Sequence, residues 1–250
     1  MHLCSCNMNK RKDERAALDA VLSHLEINIS GDKKALLLKH LELLLEENKR
    51  TNLTRIISKE EGITLHIADS LSVLREFNLR DGLFLDLGTG GGFPGLPLGI
   101  VSERQGILLD STIKKANAVN RFIEELGLSN QLKSIGMRSE ELAKEYGERF
   151  SVVIARAVSS LEVLEEYSVP LLEMNGLLVA MRGNDSKEEI ERANKVAEIL
   201  GMELIETRTF NLENVFSRSV YVYKKVSQPS IELPRRPGMA LKKPLFDKYC

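Results

Sequence analysis

The sequence predicts an α/β protein with a seven-stranded sheet, and two patterns support this fold class. The first is a regular alternation of short apolar runs with helical patterns. It predicts five parallel strands joined by helices, near residues 83–87, 107–109, 132–137, 152–155 and 177–181. The second is a pair of apolar runs, near 203–209 and 219–225, with about nine residues without a helical pattern between them. So short a connection predicts an antiparallel hairpin at the end of the sheet.

Helices are expected before the sheet. Residues 11–80 carry apolar positions at helical spacing and predict two or three helices. Ser58 and Glu61 have the spacing of a capping box, which predicts that a third helix starts at Lys59.

One face of that third helix carries candidates for positioning a substrate. They occupy neighbouring turns: His66, Asp69 and Ser70. A lone histidine on an otherwise apolar helix is more often a structural residue than a catalytic one. The sequence therefore leaves both roles open for His66.

The chain is expected to divide into four segments. Its 250 residues and 43% hydrophobic content suit one α/β domain with an appendage. We expect a disordered leader over 1–10, a helical extension over 11–80, the sheet domain over 81–226 and a basic tail over 227–250.

Targeting signals and cysteine patterns limit the possible locations and cofactors. No run approaches the roughly 18 apolar residues of a membrane span, and no signal-peptide core follows the N-terminus. We therefore expect a cytoplasmic protein without a membrane partner. Cys4, Cys6 and Cys250 form neither a disulfide framework nor a paired C-x-x-C zinc motif. Cys4 and Cys6 beside His2 offer metal ligands, but a disordered leader is the favoured interpretation, so we expect no metal.

The distribution of charge is uneven. The net charge is −1, yet residues 224–250 carry seven Lys or Arg and two acidic residues, which leaves −6 on the preceding 223 residues. A basic tail on an acidic body suits a partner that carries phosphates. A solvated tail explains the same charges equally well.

A glycine-rich loop follows the first predicted strand. The apolar run 83–87 leads into glycines at 88, 90, 91, 92 and 95. Glycines permit a tight turn with exposed backbone N–H groups, and Pro94 and Pro97 place the start of the next helix between them. Such a loop binds a carboxylate, a phosphate or a sugar.

The register of the glycines bears on the identity of the ligand. A dinucleotide pattern fits from Gly90 through Gly95, but the strand would then end two residues early. The alternative, acid-x-Gly-x-Gly-x-Gly, consists of Asp86, Gly88, Gly90 and Gly92. It resembles the S-adenosylmethionine (SAM) loop of Rossmann-like methyltransferases, whose seven-stranded sheet also ends in an antiparallel hairpin. A purely structural turn is the remaining interpretation.

Polar residues at the ends of the later strands are expected to line the same crevice. Asp110 follows the second strand, about twenty residues after the glycines, where a carboxylate can accept both ribose hydroxyls of a nucleoside. Dehydrogenases place an acid there too, so Asp110 alone does not distinguish SAM from NAD. Ser139 and Glu140 follow the third strand and could hold an adenine edge, and Arg156 follows the fourth.

A set of motifs resembles one particular family. In chain order they are Asn52-Leu53-Thr54, His66-x-x-Asp69-Ser70, the 86–95 loop, Asp110-Ser-x-x-Lys-Lys115, Arg138-x-Glu140, Arg156-Ala157-Val158, Arg182-Gly183 and Pro234-Arg-Arg-Pro237. Their order and spacing, from about residue 48 to 245, resemble those of the RsmG (GidB) family of bacterial 16S rRNA guanine-N7 methyltransferases. One departure is Arg182, where that family usually has Lys before Gly.

The resemblance implies a donor, an acceptor and a set of contacts. The donor is SAM, and the acceptor is a guanine in the 530 loop of the small-subunit rRNA. By position, the implied SAM contacts are Gly88, Phe93, Ser139, Glu140 and Arg156. Guanine N7 has a free lone pair and no proton, so methyl transfer needs positioning and electrostatics and no general base. We therefore predict no catalytic base, and Arg156, Arg182, His66 and Asp69 are the candidates for positioning the substrate.

Basic residues are the candidates for contact with RNA. They are Arg182 and Arg218 near the crevice and Arg235, Arg236, Lys242 and Lys243 in the tail. Only 5% of the residues are aromatic and there is no Trp, so platforms for base stacking are scarce, and Phe93 or an arginine plane is the candidate. A methyltransferase of a small molecule or protein, and a non-catalytic RNA-binding assembly factor, are the alternative functions.

Overall fold

The computed structural model describes residues 2–183, 185–212 and 216–250, and its centre is a seven-stranded sheet. The strands are β1 (Phe84–Leu87), β2 (Gly106–Asp110), β3 (Leu132–Gly136), β4 (Phe150–Arg156), β5 (Leu172–Arg182), β6 (Met202–Leu212) and β7 (Phe216–Lys225). They lie side by side in the order β3-β2-β1-β4-β5-β7-β6.

The pairing of the strands confirms the predicted fold class. The pairs among β1 to β5 are parallel, whereas β7 runs antiparallel to both β5 and β6. The last two strands therefore form the predicted hairpin, although each is longer than the sequence pattern indicated. The connection at 213–215 lies outside the described residues.

Helices precede the sheet and join its strands. In chain order they are α1 (His2–His24), α2 (Gly31–Thr51), α3 (Lys59–Gly62), a π-helical turn (Ile63–Ala68), α4 (Asp69–Leu71), α5 (Leu74–Phe77), α6 (Gly95–Ser102), α7 (Ile113–Glu125), α8 (Ser139–Tyr146), α9 (Leu161–Ser168), α10 (Lys187–Leu200), α11 (Met239–Lys242) and α12 (Phe246–Tyr249). The Ser58 hydroxyl accepts from the Glu61 N–H at 3.2 Å, so α3 begins at Lys59 as predicted. Helix α6 begins at Gly95, between the two prolines, also as predicted.

The N-terminal segment departs from the sequence prediction. Residues 1–10 were expected to be a disordered leader, but α1 begins at His2. The reason is that no proline or glycine lies between His2 and His24 to interrupt the helix. The side chains of Cys4 and Cys6 lie outside the described residues. The other segment boundaries, at 80/81 and 226/227, stay predictions.

The central strands of the sheet are buried on both faces. Along β1, Phe84 joins a core cluster with the N-terminal helices, α6 and α7, whereas Leu85 and Leu87 join a second cluster with α9 and α10. Because alternate side chains point to opposite faces, strands covered on both sides read as continuous apolar runs. The C-terminal segment packs on the second cluster, where Ala240 and Leu245 are each 1% exposed.

The described residues lack two features, a membrane-spanning helix and a metal-binding cluster of side chains. No helix there combines the length and apolar character needed to cross a bilayer. Within the same residues, no three His, Cys, Asp or Glu side chains are grouped so as to hold a metal ion.

Candidate active site

The glycine-rich loop lies at the carboxyl end of β1 and is fastened to the end of β2. The N–H groups of Gly88 and Thr89 both donate to the Leu109 carbonyl at 2.8 Å. The next N–H, that of Gly90, donates to the Asp110 carboxylate at 3.0 Å. The loop is thus held at the edge of the sheet where open α/β proteins bind their ligands.

Three glycines of this loop have positive φ angles, but for different reasons. At Gly90 (φ 57°) the space that a Cβ would fill is open, as expected for a cradle that receives a ligand. At Gly92 (φ 94°) a Cβ would lie 2.6 Å from Leu96 Cδ1 and 3.0 Å from His40 Nε2. The packing of the protein therefore accounts for Gly92, which was predicted to contact the cofactor.

Asp86 lies behind the loop. Its Oδ2 accepts from the Thr89 hydroxyl at 2.6 Å and from the Gly95 N–H at 2.8 Å, and the side chain is fully buried. Its Oδ1 has no partner among the described residues. Burial raises the pKa of Asp86 to about 6, although both hydrogen bonds oppose the shift. Its contacts therefore position the loop, whereas direct contact with the cofactor was predicted.

Asp110 is placed as the sequence predicted. It ends β2 and is 7% exposed. Its Oδ1 accepts from the Thr112 N–H at 2.8 Å, and its Oδ2 accepts from Gly90. Each carboxylate oxygen keeps lone-pair capacity, so the side chain can still accept hydrogen bonds from a ribose.

Two small cavities meet at Gly88. The first, which we call the Ser139 cavity, has a volume of about 180 Å³ and is lined by Ser139, Glu140, Leu109 and Tyr167 among others. The second, the Phe93 cavity, has a volume of about 190 Å³ and is lined by residues 88–91, Phe93, His66 and Arg156 among others. A ligand with two unlike ends would fit across them.

The C-terminal segment forms part of the wall of the Ser139 cavity. Leu241 lines the cavity, and the Gly238 N–H donates to Glu140 Oε1 at 2.8 Å. The other oxygen of Glu140 accepts from the Ser139 hydroxyl at 3.1 Å. Both carboxylate oxygens already have protein partners, so Glu140 joins the C-terminal segment to the cavity.

The Phe93 ring is stacked between two histidines. The centroid of the His40 ring lies 4.3 Å from that of Phe93, and the centroid of His66 lies 4.5 Å away, with interplanar angles of 21° and 16°. Because two nearly parallel rings cover it, Phe93 offers no face to a base. The prediction that Phe93 serves as a stacking platform is therefore wrong.

Both histidines of this stack are neutral. Burial is the main cause that lowers the pKa of His40 to about 4, and burial with the charge of Arg156 lowers that of His66 to about 3. An Arg156 N–H lies 3.4 Å from His66 Nδ1, and guanidinium can only donate, so the proton of His66 is on Nε2. That N–H faces the Thr54 hydroxyl at 2.9 Å. The role of His66 is therefore to position its neighbours.

Arg156 belongs to a buried ion-pair network. Its Nη1 donates to Asp69 Oδ2 at 2.8 Å, and Arg218 Nε donates to Asp69 Oδ1 at 2.6 Å. Asp69 has no exposed surface, whereas the side chains of Arg156 and Arg218 are 14% and 21% exposed. One carboxylate between two guanidiniums leaves a net positive charge beside the Phe93 cavity. Arg218, predicted to contact RNA, is thus part of this network.

Arg182 supports the loop that lies over Gly88. Its guanidinium donates to the Asp185 carboxylate at 2.7 Å and to the Ser159 carbonyl. The adjacent Val158 lies so close to Gly88 that a Cβ there would be 2.5 Å from Val158 Cγ2. These contacts give Arg182 a positioning role, and its contact with RNA stays a prediction.

The cations of the tail differ in their surroundings. Arg235 donates to both oxygens of Glu166, at 2.7 and 2.5 Å, and to the Lys243 carbonyl at 3.0 Å. The side chains of Arg236, Lys242 and Lys243 are exposed. The bidentate pair fastens the tail to α9, and contact with RNA stays a prediction for all four cations.

Sequence reasoning missed several residues of the site. His40 and Val158 contact the loop, Thr54 lines the Phe93 cavity and Leu241 lines the Ser139 cavity. Thr54 and Val158 were within the family motifs, which gave a signal. His40 lies within an apolar helix and Leu241 within a basic tail, so neither had a local pattern that pointed to the site.

Comparison with known proteins places the chain among methyltransferases. The family model described as "rRNA small subunit methyltransferase G" (GidB) matches residues 33–232. The protein of that name from Carboxydothermus hydrogenoformans is 37% identical over 92% of this chain and 99% of its own length. The one from Caldicellulosiruptor bescii is 38% identical over 91% and 99%.

Solved structures show the fold at low sequence identity. Geranyl diphosphate C-methyltransferase from Streptomyces coelicolor has a TM-score of 0.51 and 10% identity, over 64% of this chain and 79% of its own. The [4+2]-cyclase SpnF has a TM-score of 0.51 and 14% identity, over 64% and 81%. Because a cyclase shares this fold, the fold alone does not define the reaction.

The matching family model and the named relatives, together with the sheet and the glycine loop, place the chain in the class of SAM-dependent methyltransferases. Within this class, the chain belongs to the rRNA small subunit methyltransferase G family, as its motifs predicted. An rRNA is the kind of substrate that this family membership implies.

Proposed function

We propose that the protein transfers the methyl group of SAM to N7 of a guanine in the 530 loop of bacterial 16S rRNA. One observation carries the proposal beyond family membership. The Phe93 cavity opens, past Leu53, Thr54 and Ala157, into a wide groove of about 1490 Å³ with cationic residues in its walls. A substrate much larger than a metabolite can therefore reach the cavity, as an rRNA must.

The two cavities suit the two ends of SAM. Adenosine would occupy the Ser139 cavity, with Asp110 accepting from the ribose hydroxyls. The methionine part would lie in the Phe93 cavity, where Arg156 can pair with its carboxylate and the open side of Gly90 leaves room. Gly88 lines both cavities, so the methyl group would lie near their junction.

Methyl transfer to N7 requires the protein to position the donor and the acceptor. SAM supplies a methyl group on a sulfonium, and N7 of guanine attacks with its own lone pair. No proton has to be removed, which agrees with a neutral His66 whose two ring nitrogens face Arg156 and Thr54. The residues of the Phe93 cavity would align the base with the methyl group. The guanidinium of Arg156 would pair with the carboxylate of SAM or donate a hydrogen bond to an acceptor atom of the base.

The proposal also concerns the location of the protein and the form in which it meets its rRNA substrate. We place the protein in the cytoplasm, where free 16S rRNA, an assembly intermediate and the finished small subunit are the candidate substrates. Mapping of N7-methylguanine in 16S rRNA from cells with and without the protein tests the proposal. Loss of a single modified guanine in the 530 loop is expected. Unchanged rRNA would favour a small-molecule or protein substrate, and failure of the purified protein to bind SAM would favour a non-catalytic assembly factor.

A further inference from the structure

The wide groove beside the Phe93 cavity has one wall from α2 and another from residues 52–59. Asn48 joins these walls, because its amide donates to the Thr54 carbonyl and its oxygen accepts from the Thr54 N–H, both at 2.9 Å. Asn52 ends α2 in the left-handed conformation (φ 50°) and turns the chain into the second wall. The groove is therefore a fixed feature of the fold, formed before any partner binds.

The groove is continuous with the site of methyl transfer. Leu53, Thr54 and Ala157 line both the groove and the Phe93 cavity. Thr54 is fixed from both sides, by Asn48 in the groove and by His66 at the cavity. A nucleotide whose base reaches the donor at this cavity must therefore have its neighbours in the groove.

The charges of the groove suit phosphates. Four cationic side chains and two acidic ones line it: Lys39, Lys49, Arg55 and Lys59, with Glu42 and Glu46. Lys39 and Lys49 form pairs with these glutamates one helical turn away, with all four side chains at least 46% exposed. Pairs so exposed contribute little to stability, so a phosphate can compete for the lysines. Arg55 is exposed, and among the described residues no acidic side chain forms an ion pair with it.

An apolar side chain stands among these cations. Ile57 lines the groove and, at 81%, is the most exposed of the large hydrophobic side chains in the described residues. Cations beside an exposed apolar group suit single-stranded RNA, which offers phosphates and the faces of unstacked bases together. A duplex would keep its bases stacked, and only a base that has left its stack can reach a donor bound at the Phe93 cavity.

We propose that this groove holds the single-stranded RNA next to the acceptor nucleotide. Arg55 and Lys49 contact its phosphates, and Ile57 contacts the face of a neighbouring base. This inference rests on the proposed function, and it adds the groove to the basic tail and the crevice arginines as an RNA surface.

Charge-removal variants test the phosphate contacts. The double variant Arg55→Gln, Lys49→Gln is compared with Lys144→Gln, Lys187→Gln, which removes two exposed cations of α8 and α10. The probes are free 16S rRNA and small subunits, both from cells that lack the protein. For the groove variant we expect weaker rRNA binding, unchanged SAM affinity and a log–log salt slope that is shallower by about 1.4, at about 0.7 per single-strand contact. The control variant should bind like the parent.

A second pair of variants tests the contact with a base. Ile57→Ser should weaken rRNA binding at an unchanged salt slope, whereas Ile205→Ser, at a 45% exposed position of β6, should not. If both groove variants bind and methylate rRNA like the parent, the groove is not the RNA path. If binding falls only with ribosomal particles and not with free rRNA, the occupant is a protein and the inference fails. A parent that neither binds nor methylates rRNA would instead reject the proposed function itself.

Discussion

Asp69 joins Arg156 of β4, which lines the Phe93 cavity, to Arg218 of β7. Its carboxylate lies 2.8 Å from Arg156 Nη1 and 2.6 Å from Arg218 Nε, and it has no exposed surface. The helical turn that carries Asp69 is thereby fastened to β4 and β7. The position of Arg156 consequently depends on a residue that does not itself line the cavity.

Removal of the negative charge of Asp69 should destabilise the folded protein. Asp69→Asn leaves two guanidiniums close together without a counter-ion, and we expect the free energy of unfolding to fall by about 3 kcal/mol or more. Methyl transfer should also fall, because Arg156 loses its fixed position. Urea unfolding followed by circular dichroism measures the first effect. Glu173→Gln is the matched control, because it breaks the half-exposed pair with Arg80 and should cost no more than about 1 kcal/mol.

The glycines at 90 and 92 should respond differently to the same substitution. Gly90→Ala meets open space within the protein, so it should cost only about 1–2 kcal/mol of stability for its positive φ but strongly reduce SAM affinity. Gly92→Ala should mainly destabilise the fold, because the new Cβ would be 2.6 Å from Leu96 Cδ1. Calorimetric titration with SAM and urea unfolding separate the two effects. Parent-like SAM affinity in Gly90→Ala would mean that no ligand approaches the loop there.

Asp110 is expected to contribute to SAM binding through its negative charge. Asp110→Ala should weaken SAM binding by about 1–3 kcal/mol, since charge-assisted hydrogen bonds to the ribose are lost. Asp110→Asn keeps an acceptor oxygen for the Gly90 N–H and should lose less. The loss should be equal for S-adenosylhomocysteine, which has the same ribose but no transferable methyl group. A loss confined to SAM would place the ribose contact elsewhere.

The sequence predicted those parts of the molecule that local patterns determine. The capped start of α3 at Lys59, the hairpin and the glycine loop each follow from a few neighbouring residues, and each is found. Contacts between distant residues were not predictable in this way. Charge composition placed Arg235 on an RNA surface, because nothing near it in sequence indicates that Glu166 would pair with it. Likewise, the motif that contains Phe93 did not reveal that His40, from α2, covers one of its faces.

The neutral histidines and the buried Asp86 predict how stability depends on pH. Below pH 6.5 the unfolded chain protonates His40 and His66, whereas the folded chain does not until about pH 4 and 3. Asp86 acts in the opposite sense. Its carboxyl group binds a proton below about pH 6 in the folded chain, whereas in the unfolded chain it does so only below about pH 3.8. Between pH 6 and 4 these three groups leave about one extra proton on the unfolded chain. Stability should therefore fall by about 1.4 kcal/mol per pH unit on acidification.

Urea unfolding at pH 7, 6 and 5 measures this slope. His40→Gln removes one of the two histidines, so the slope from these groups should nearly vanish, whatever the variant's absolute stability. His24→Gln, at an exposed position near the end of α1, is the matched control and should keep the parent's slope. Equal slopes in the parent and in His40→Gln between pH 6 and 5 would contradict the assignment of a neutral His40.

The last prediction separates the two roles of the tail. Arg235 holds the tail to Glu166, and the tail supplies Gly238 and Leu241 to the Ser139 cavity. Arg235→Gln should therefore weaken SAM binding and leave the salt dependence of rRNA binding unchanged. Adenosine alone should report the same loss, because only its end of the ligand lies in that cavity.

The triple variant Arg236→Gln, Lys242→Gln, Lys243→Gln changes only exposed tail cations. Any effect that it has should be on rRNA binding and not on SAM binding. SAM affinity should match the parent's, since these side chains do not line the cavity. If the tail contacts RNA in addition to the groove, the salt slope becomes shallower by up to about 2, at about 0.7 per contact. An unchanged slope would make the tail a wall of the cofactor site alone. Loss of SAM affinity in the triple variant, with Arg235→Gln like the parent, would contradict this division of roles.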